Sequence, residues 1–191
     1  MSKESILAAI RRNQPEARPL PDPPVFNRPG VDVLAHFCQM VHTVGGNVLY
    51  ARDLESADTL FTHYYPLEKS IASTCPDYPG TVDWAAIAHP LDLETVDLAI
   101  VSARLGVAEN GAVWVTEADC GHRVLPFIAQ HLLIVLDMHQ IVPDMHTAYQ
   151  SIRIDETGFG AFIAGPSKTA DIEQALVIGA QGARSLTVLL R

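Results

Sequence analysis

Short apolar runs recur along this chain, each parted from the next by a stretch of helical spacing or by turn residues. The runs are Val48–Tyr50, Ser70–Ser73, Leu98–Val101, Ala112–Thr116, Leu132–Leu136, Phe159–Ala164 and Leu186–Leu190. Between them, Val31 to Val44 sets Leu34, Phe37, Cys38, Val41 and Val44 on one helical stripe, closed by Gly45-Gly46. Asp53 to Tyr65, Asp144 to Ile152 and Thr169 to Ile178 read as further helices. Runs without polar alternation are buried on both faces, so the pattern predicts an α/β fold with a largely parallel sheet covered on both sides. Glu109-Asn110-Gly111 predicts a hairpin turn between Leu98–Val101 and Ala112–Thr116, and with it an antiparallel pair. From Cys75 to Glu94 no period stands out, apart from a helix-like Val82 to Ala88.

The amino-terminal 30 residues are of another kind. Ser2 to Arg12 is helix-like, and prolines at 15, 19, 21, 23, 24 and 29 then deny the chain a regular hydrogen-bonded ladder. The expected organisation is an arm over 1–30 and a single domain over 31–191, in keeping with roughly 100–200 residues per domain. The chain carries 13 Lys+Arg against 22 Asp+Glu, a formal charge of −9. That excess argues against binding nucleic acid or an anionic membrane surface, both of which call for clustered cations. The richest apolar run stops at Asp137, far short of a membrane span, and the amino terminus lacks the pattern of a secretion signal. Cys38, Cys75 and Cys120 are widely spaced, which fits reduced thiols in a cytoplasmic protein and excludes the close cysteine runs of iron–sulfur clusters.

The strongest local pattern is Gly165-Pro166-Ser167-Lys168-Thr169 followed by Ala170 to Glu173. As the exit from a strand into a helix, it offers free N–H groups, the hydroxyls of Ser167 and Thr169, and Lys168 to a small anionic ligand. The alternative is an ordinary capped helix with Asp171 and Glu173 complementing its dipole. The spacing is neither that of a phosphate loop nor that of a dinucleotide fingerprint. Arg123 is suited to clamping a carboxylate, or to pairing with one of the chain's many acids. His131, beside an apolar run, is either a ligand-contacting proton carrier or a satisfied buried histidine. Cys120-Gly121-His122 and the pair His139 and His146 lack metal-site spacing, so no metal is expected.

Gly106-Val107-Ala108-Glu109-Asn110-Gly111, then Arg123, Pro126 and His131, then Ile141-Val142-Pro143, and finally Gly165 to Glu173 with Gly179 and Gly182 resemble the lactate-utilisation (LUD) domain. The likeness is to its short lactate utilisation protein C type and covers about residues 31–191. It implies a three-layer α/β/α fold with a mostly parallel mixed sheet, akin to the sugar-phosphate isomerase (NagB/RpiA) and CoA-transferase group. It also implies a part in oxidising L-lactate to pyruvate beside iron–sulfur partner proteins, with no cluster and no cofactor in this chain. Where the family commonly reads Glu-Thr-Gly, this chain has Glu109-Asn110-Gly111. That turn is similar to the Ser-Glu-Asn-Gly of a CoA-transferase group whose glutamate is catalytic, with Ala108 in place of the serine. Two alternatives therefore stand beside the lactate reading: a free-standing CoA-transferase-like or sugar-phosphate-type enzyme using Glu109, and a non-catalytic small-molecule sensor.

Overall fold

The computed structural model describes residues 2–21, 30–153, 158–172 and 175–191. Helix α1 (Lys3–Arg12) starts at Ser2, whose hydroxyl accepts from Ser5 N–H, and buries none of its residues. Helix α2 (Val33–Thr43) is capped by the Asp32 carboxylate on Ala35 N–H and turns Phe37 and Val41 inward. Then come β1 (Asn47–Tyr50), α3 (Ala57–Thr59), β2 (Ile71–Ser73), β3 (Leu98–Ser102), β4 (Leu105–Val107) and β5 (Ala112–Thr116). Two short helices follow, α4 (Glu117–Cys120) and α5 (Leu125–Ile128), then β6 (His131–Leu136), β7 (Ile141–Val142) and α6 (Met145–Ser151). The chain closes with β8 (Gly160–Ile163), β9 (Lys168–Ile172), β10 (Ala175–Ile178) and β11 (Ser185–Leu190).

Five strands form a central sheet in the order β1-β11-β6-β3-β2, and every neighbouring pair in it is parallel. Alternation along the strands feeds two cores. Leu132, Ile134 and Leu136 of β6, with Leu186, Val188 and Leu190 of β11, pack towards Phe37 and Val41 of α2. Leu133, Val135 and Leu189 point the other way, towards Leu60 and Tyr65. Burial of each such side chain contributes about 1.5–3 kcal/mol, which is why these runs read as unbroken apolar stretches. A second sheet, β7-β4-β5-β8, shares the α2 side, and its outer face is covered from α6 by Ala148 and Met145. The fold is mixed α/β with a parallel central sheet, as expected, but one covering layer is part sheet.

Four local expectations change. The hairpin at Glu109-Asn110-Gly111 joins β4 to β5, not Leu98–Val101 to β5, because β3 is already paired on both edges by β2 and β6. Thr169 to Ile178 is not a helix. It is the antiparallel pair β9–β10, in keeping with its β-branched Thr169, Ile172, Val177 and Ile178. The helix over Asp53–Tyr65 is broken into a 3-10 turn at Ala51–Asp53, α3, and a π turn at Leu60–Tyr64. The wide turn, closed by Tyr65 N–H on Leu60 C=O, brings residues five apart onto nearly one face, so Leu60 and Tyr65 both reach the sheet. Val82–Ala88 holds only a 3-10 turn at Trp84–Ala86. The prolines at 23, 24 and 29, and the dipole role of Glu173, lie outside the described residues.

Candidate functional site

Three adjacent strands of the central sheet begin with a polar residue on the same face: Asn47 on β1, Ser185 on β11 and His131 on β6. Register sets Asn47 opposite Thr187 and Ser185 opposite His131. Above them lies a cleft of about 380 Å³, walled by Tyr64, Tyr65 and Glu68. It sits at the amino ends of these strands, whereas ligands of open parallel sheets more often bind at the carboxyl ends.

The cleft is held by a short chain of contacts. His131 Nδ1 lies 2.7 Å from Ser185 Oγ, and its Nε2 faces Glu68 Oε1 at 3.6 Å. The Glu68 side chain is only 15% exposed, and its other oxygen accepts from Leu67 N–H. Pro66 ends the helical segment, and Asp97 then fastens the loop by accepting from Lys69 N–H at 3.0 Å and Ser70 N–H at 2.9 Å. Those two N–H groups hold the Asp97 carboxyl below its ordinary range, while its backbone carbonyl accepts from His131 N–H at 2.8 Å. Tyr65 donates to Thr187 Oγ1 at 2.9 Å, and burial pushes its phenol up. The result is a partly desolvated hydroxyl–imidazole–carboxylate series able to move a proton. Among the described residues no lysine or arginine lines the cleft, and the one group there that can carry a positive charge is His131.

Of the residues singled out in the sequence, only His131 lines this cleft. Ser167 is close by through the backbone, its N–H donating to Ala183 C=O just before β11. Gly165, at φ +71°, is pressed against the carboxyl end of α2, and a Cβ there would collide with Val44 O. The Lys168 ammonium donates to that same Val44 carbonyl, so it acts as a cap for α2. Thr169 lies in β9. With β9 in place of a helix, the proposed N–H cradle for an anion is gone: the Gly165–Thr169 loop joins the second sheet to a hairpin. Arg123 grips Glu117 with two hydrogen bonds, at 2.7 and 2.9 Å, and its guanidinium lies over the Phe159 ring. Glu109 is exposed and accepts from Met145 N–H at the start of α6. Neither Arg123 nor Glu109 lines the cleft. Among the described residues there is no group of His, Cys, Asp or Glu that could hold a metal ion, and no helix long and apolar enough to cross a membrane. Cys38, Cys75 and Cys120 are free thiols.

The sequence reading missed Asn47, Tyr64, Tyr65, Glu68, Ser185 and Thr187. A usable signal was there: Asn47, His131 and Ser185 each head an apolar run, and Thr187 interrupts one at an inward position. A hydroxyl inside a buried strand needs a partner, and that partner is Tyr65.

Similarity to known proteins fits this architecture. In structure the chain is similar to a DUF162 family protein of Deinococcus radiodurans, with a TM-score of 0.62 over 83% of this chain and 96% of that one. At 15% identity that likeness speaks for the fold alone. In sequence it is similar to an uncharacterized protein of Neisseria meningitidis serogroup B, 29% identical over 49% of this chain and 42% of that protein. It is also similar to lactate utilization protein C of Shouchella clausii, 30% identical over 47% of this chain and 41% of the relative. A third relative is lactate utilization protein C of Exiguobacterium sp., 26% identical over 60% of this chain and 54% of the relative. The chain thus matches about half the length of these relatives. The LUD domain profile matches residues 89–190, from the turn before β3 to the end of β11 and more than half of the sequence, and the chain belongs to the LUD domain family.

Proposed function

We propose that this chain is a cytoplasmic component of an L-lactate oxidation system, a binding or scaffold subunit working beside iron–sulfur partner proteins and carrying no cluster itself. The observation that supports this reading most is its likeness to relatives named lactate utilization protein C. Oxidation of lactate to pyruvate releases two electrons and two protons; a pair of one-electron clusters in the partners would take the two electrons, and the protons would pass to water. The geometry favours a supporting role for this subunit. Lys168 and Arg123, the cations best suited to a lactate carboxylate, are engaged by the Val44 carbonyl and by Glu117. The enzyme reading built on Glu109 has less support, because that carboxylate is exposed and spent on a helix N–H.

Deleting the gene tests the proposal. Growth on L-lactate should stop, growth on pyruvate should continue, and the intact gene should restore the first. Unimpaired growth on lactate would refute it. Loss of lactate growth in Glu109→Gln, with the variant still folded, would instead favour the enzyme reading.

A further inference from the structure

The cleft contains more than a supporting role needs. Glu68 faces Nε2 of His131 and thereby favours the tautomer with its proton on that nitrogen. Nδ1 is then the basic nitrogen, and Ser185, 2.7 Å away, donates its hydroxyl proton to it. A hydroxyl, a base within hydrogen-bond reach and a third group orienting the base make up an activated nucleophile. The two ring nitrogens are used in the opposite order from the serine proteases, which leaves the proton count unchanged. Asn47, opposite Thr187 and in the same cleft, brings a side-chain amide whose N–H groups suit a developing oxyanion.

We propose that Ser185, His131 and Glu68 form a nucleophilic centre that transfers the acyl group of a small, uncharged carboxylic ester to water. Ser185 Oγ bonds to the ester carbonyl carbon while its proton passes to His131 Nδ1. The C–O bond to the alcohol breaks, and the alcohol leaves with that proton. Water then attacks the acyl-serine, gives a proton to Nδ1, and releases the carboxylic acid as the proton returns to Ser185. Ser185 and His131 are the catalytic residues, Asn47 binds the oxyanion, and Glu68 is a positioning residue. The substrate class follows from the walls. With Glu68 present and no Lys or Arg among the described lining residues, a phosphorylated or nucleotide-bearing ester would meet a carboxylate in place of a counter-charge, while about 380 Å³ beside Leu49 and Tyr64 accepts a small acyl group. This centre does not depend on the lactate reading, and its test reads a bond to one serine rather than growth.

The full chain is treated with a fluorophosphonate probe and the modified residue is located by peptide mass. The expected result is one adduct per chain, on Ser185, absent from Ser185→Ala and formed at least about 100-fold more slowly in His131→Gln. Glu68→Gln should slow labelling and Glu68→Asp, which keeps the carboxylate, should restore part of the rate; equal rates in the two variants would make Glu68 merely structural and overturn its role. Absence of an adduct on the folded wild type, an adduct elsewhere, or a wild-type rate in His131→Gln would overturn the proposal. Should His131→Gln fail to fold, the wild type decides: labelling of Ser185 at least about 100-fold faster in the folded chain than in the urea-unfolded chain supports the relay, and an equal rate overturns it.

Discussion

Tyr65→Phe removes a single oxygen from the floor of the cleft, and the structure sets the size of its effect. Tyr65 and Thr187 are 7% and 5% exposed, and their hydroxyls are bonded to each other at 2.9 Å. Deleting the phenol oxygen leaves Thr187 without its donor in a site with little access to water, at a cost of about 1–3 kcal/mol. Thr187→Val strands the tyrosine O–H in the same way and should cost a similar amount. The double variant leaves no buried polar group unpaired, so its cost should fall short of the sum of the singles by about 1 kcal/mol or more. For a chain of this length each kcal/mol shifts Tm by about 2–4 °C, so either single variant should melt at least about 2 °C lower. Urea and thermal unfolding of the four proteins at neutral pH, followed by circular dichroism, supply the cycle. Additivity within about 0.5 kcal/mol would refute the coupling and with it the assigned geometry of the cleft floor.

Gly165→Ala should destabilise the fold by more than Gly30→Ala in the same melting assay. Both glycines have positive φ, but only at Gly165 does the added Cβ meet backbone, at Val44 O; equal losses would mean the loop is not seated on α2. Asp97 titrates below its ordinary 3.8 in the fold, so its contribution is present above pH 3.8 and is lost as pH falls through the lower folded value. Asp97→Asn should flatten the acid limb of stability against pH below about 4, and an unchanged limb would contradict the anchoring of the Glu68 loop. Burial pushes the Cys120 thiol from 9.0 up to about 12. Its contribution is full below pH 9 and is lost as pH rises towards 12, so Cys120→Ala should lose stability less steeply with pH over that window, by denaturant unfolding. The same slope in both proteins would count against burial of the thiol as the cause.

The parallel sheet was legible because its strands are buried on both faces, so Leu132–Leu136 and Leu186–Leu190 carry an apolar signal that little else mimics. The β9–β10 hairpin was not. Its residues alternate weakly, and Ser167-Lys168-Thr169 after Gly-Pro reads as a helix start unless β-branching is given more weight than capping chemistry. The anion cradle was argued from the free N–H groups of a helix start and goes with that helix: Ser167 N–H is bonded to Ala183 C=O and Lys168 to the end of α2. The cleft was hidden for another reason. Its members come from positions 47, 64, 65, 68, 131, 185 and 187, and the strand order β1-β11-β6, with the segment after Leu60 packed on it through Tyr65 and Thr187, makes them neighbours. No spacing along the chain encodes that adjacency. His131 alone was picked out, by its type and its place before a strand.

The lactate reading is tested most directly by reconstitution. The proposed iron–sulfur partner proteins, purified from cells lacking this chain, are supplied with L-lactate and an artificial electron acceptor, with and without the chain added back. Pyruvate should form and acceptor be reduced in equal two-electron amounts only when the chain is present, and the tagged chain should co-purify with those partners. Lactate oxidation at the same rate without it, by partners that never bind it, would contradict the account.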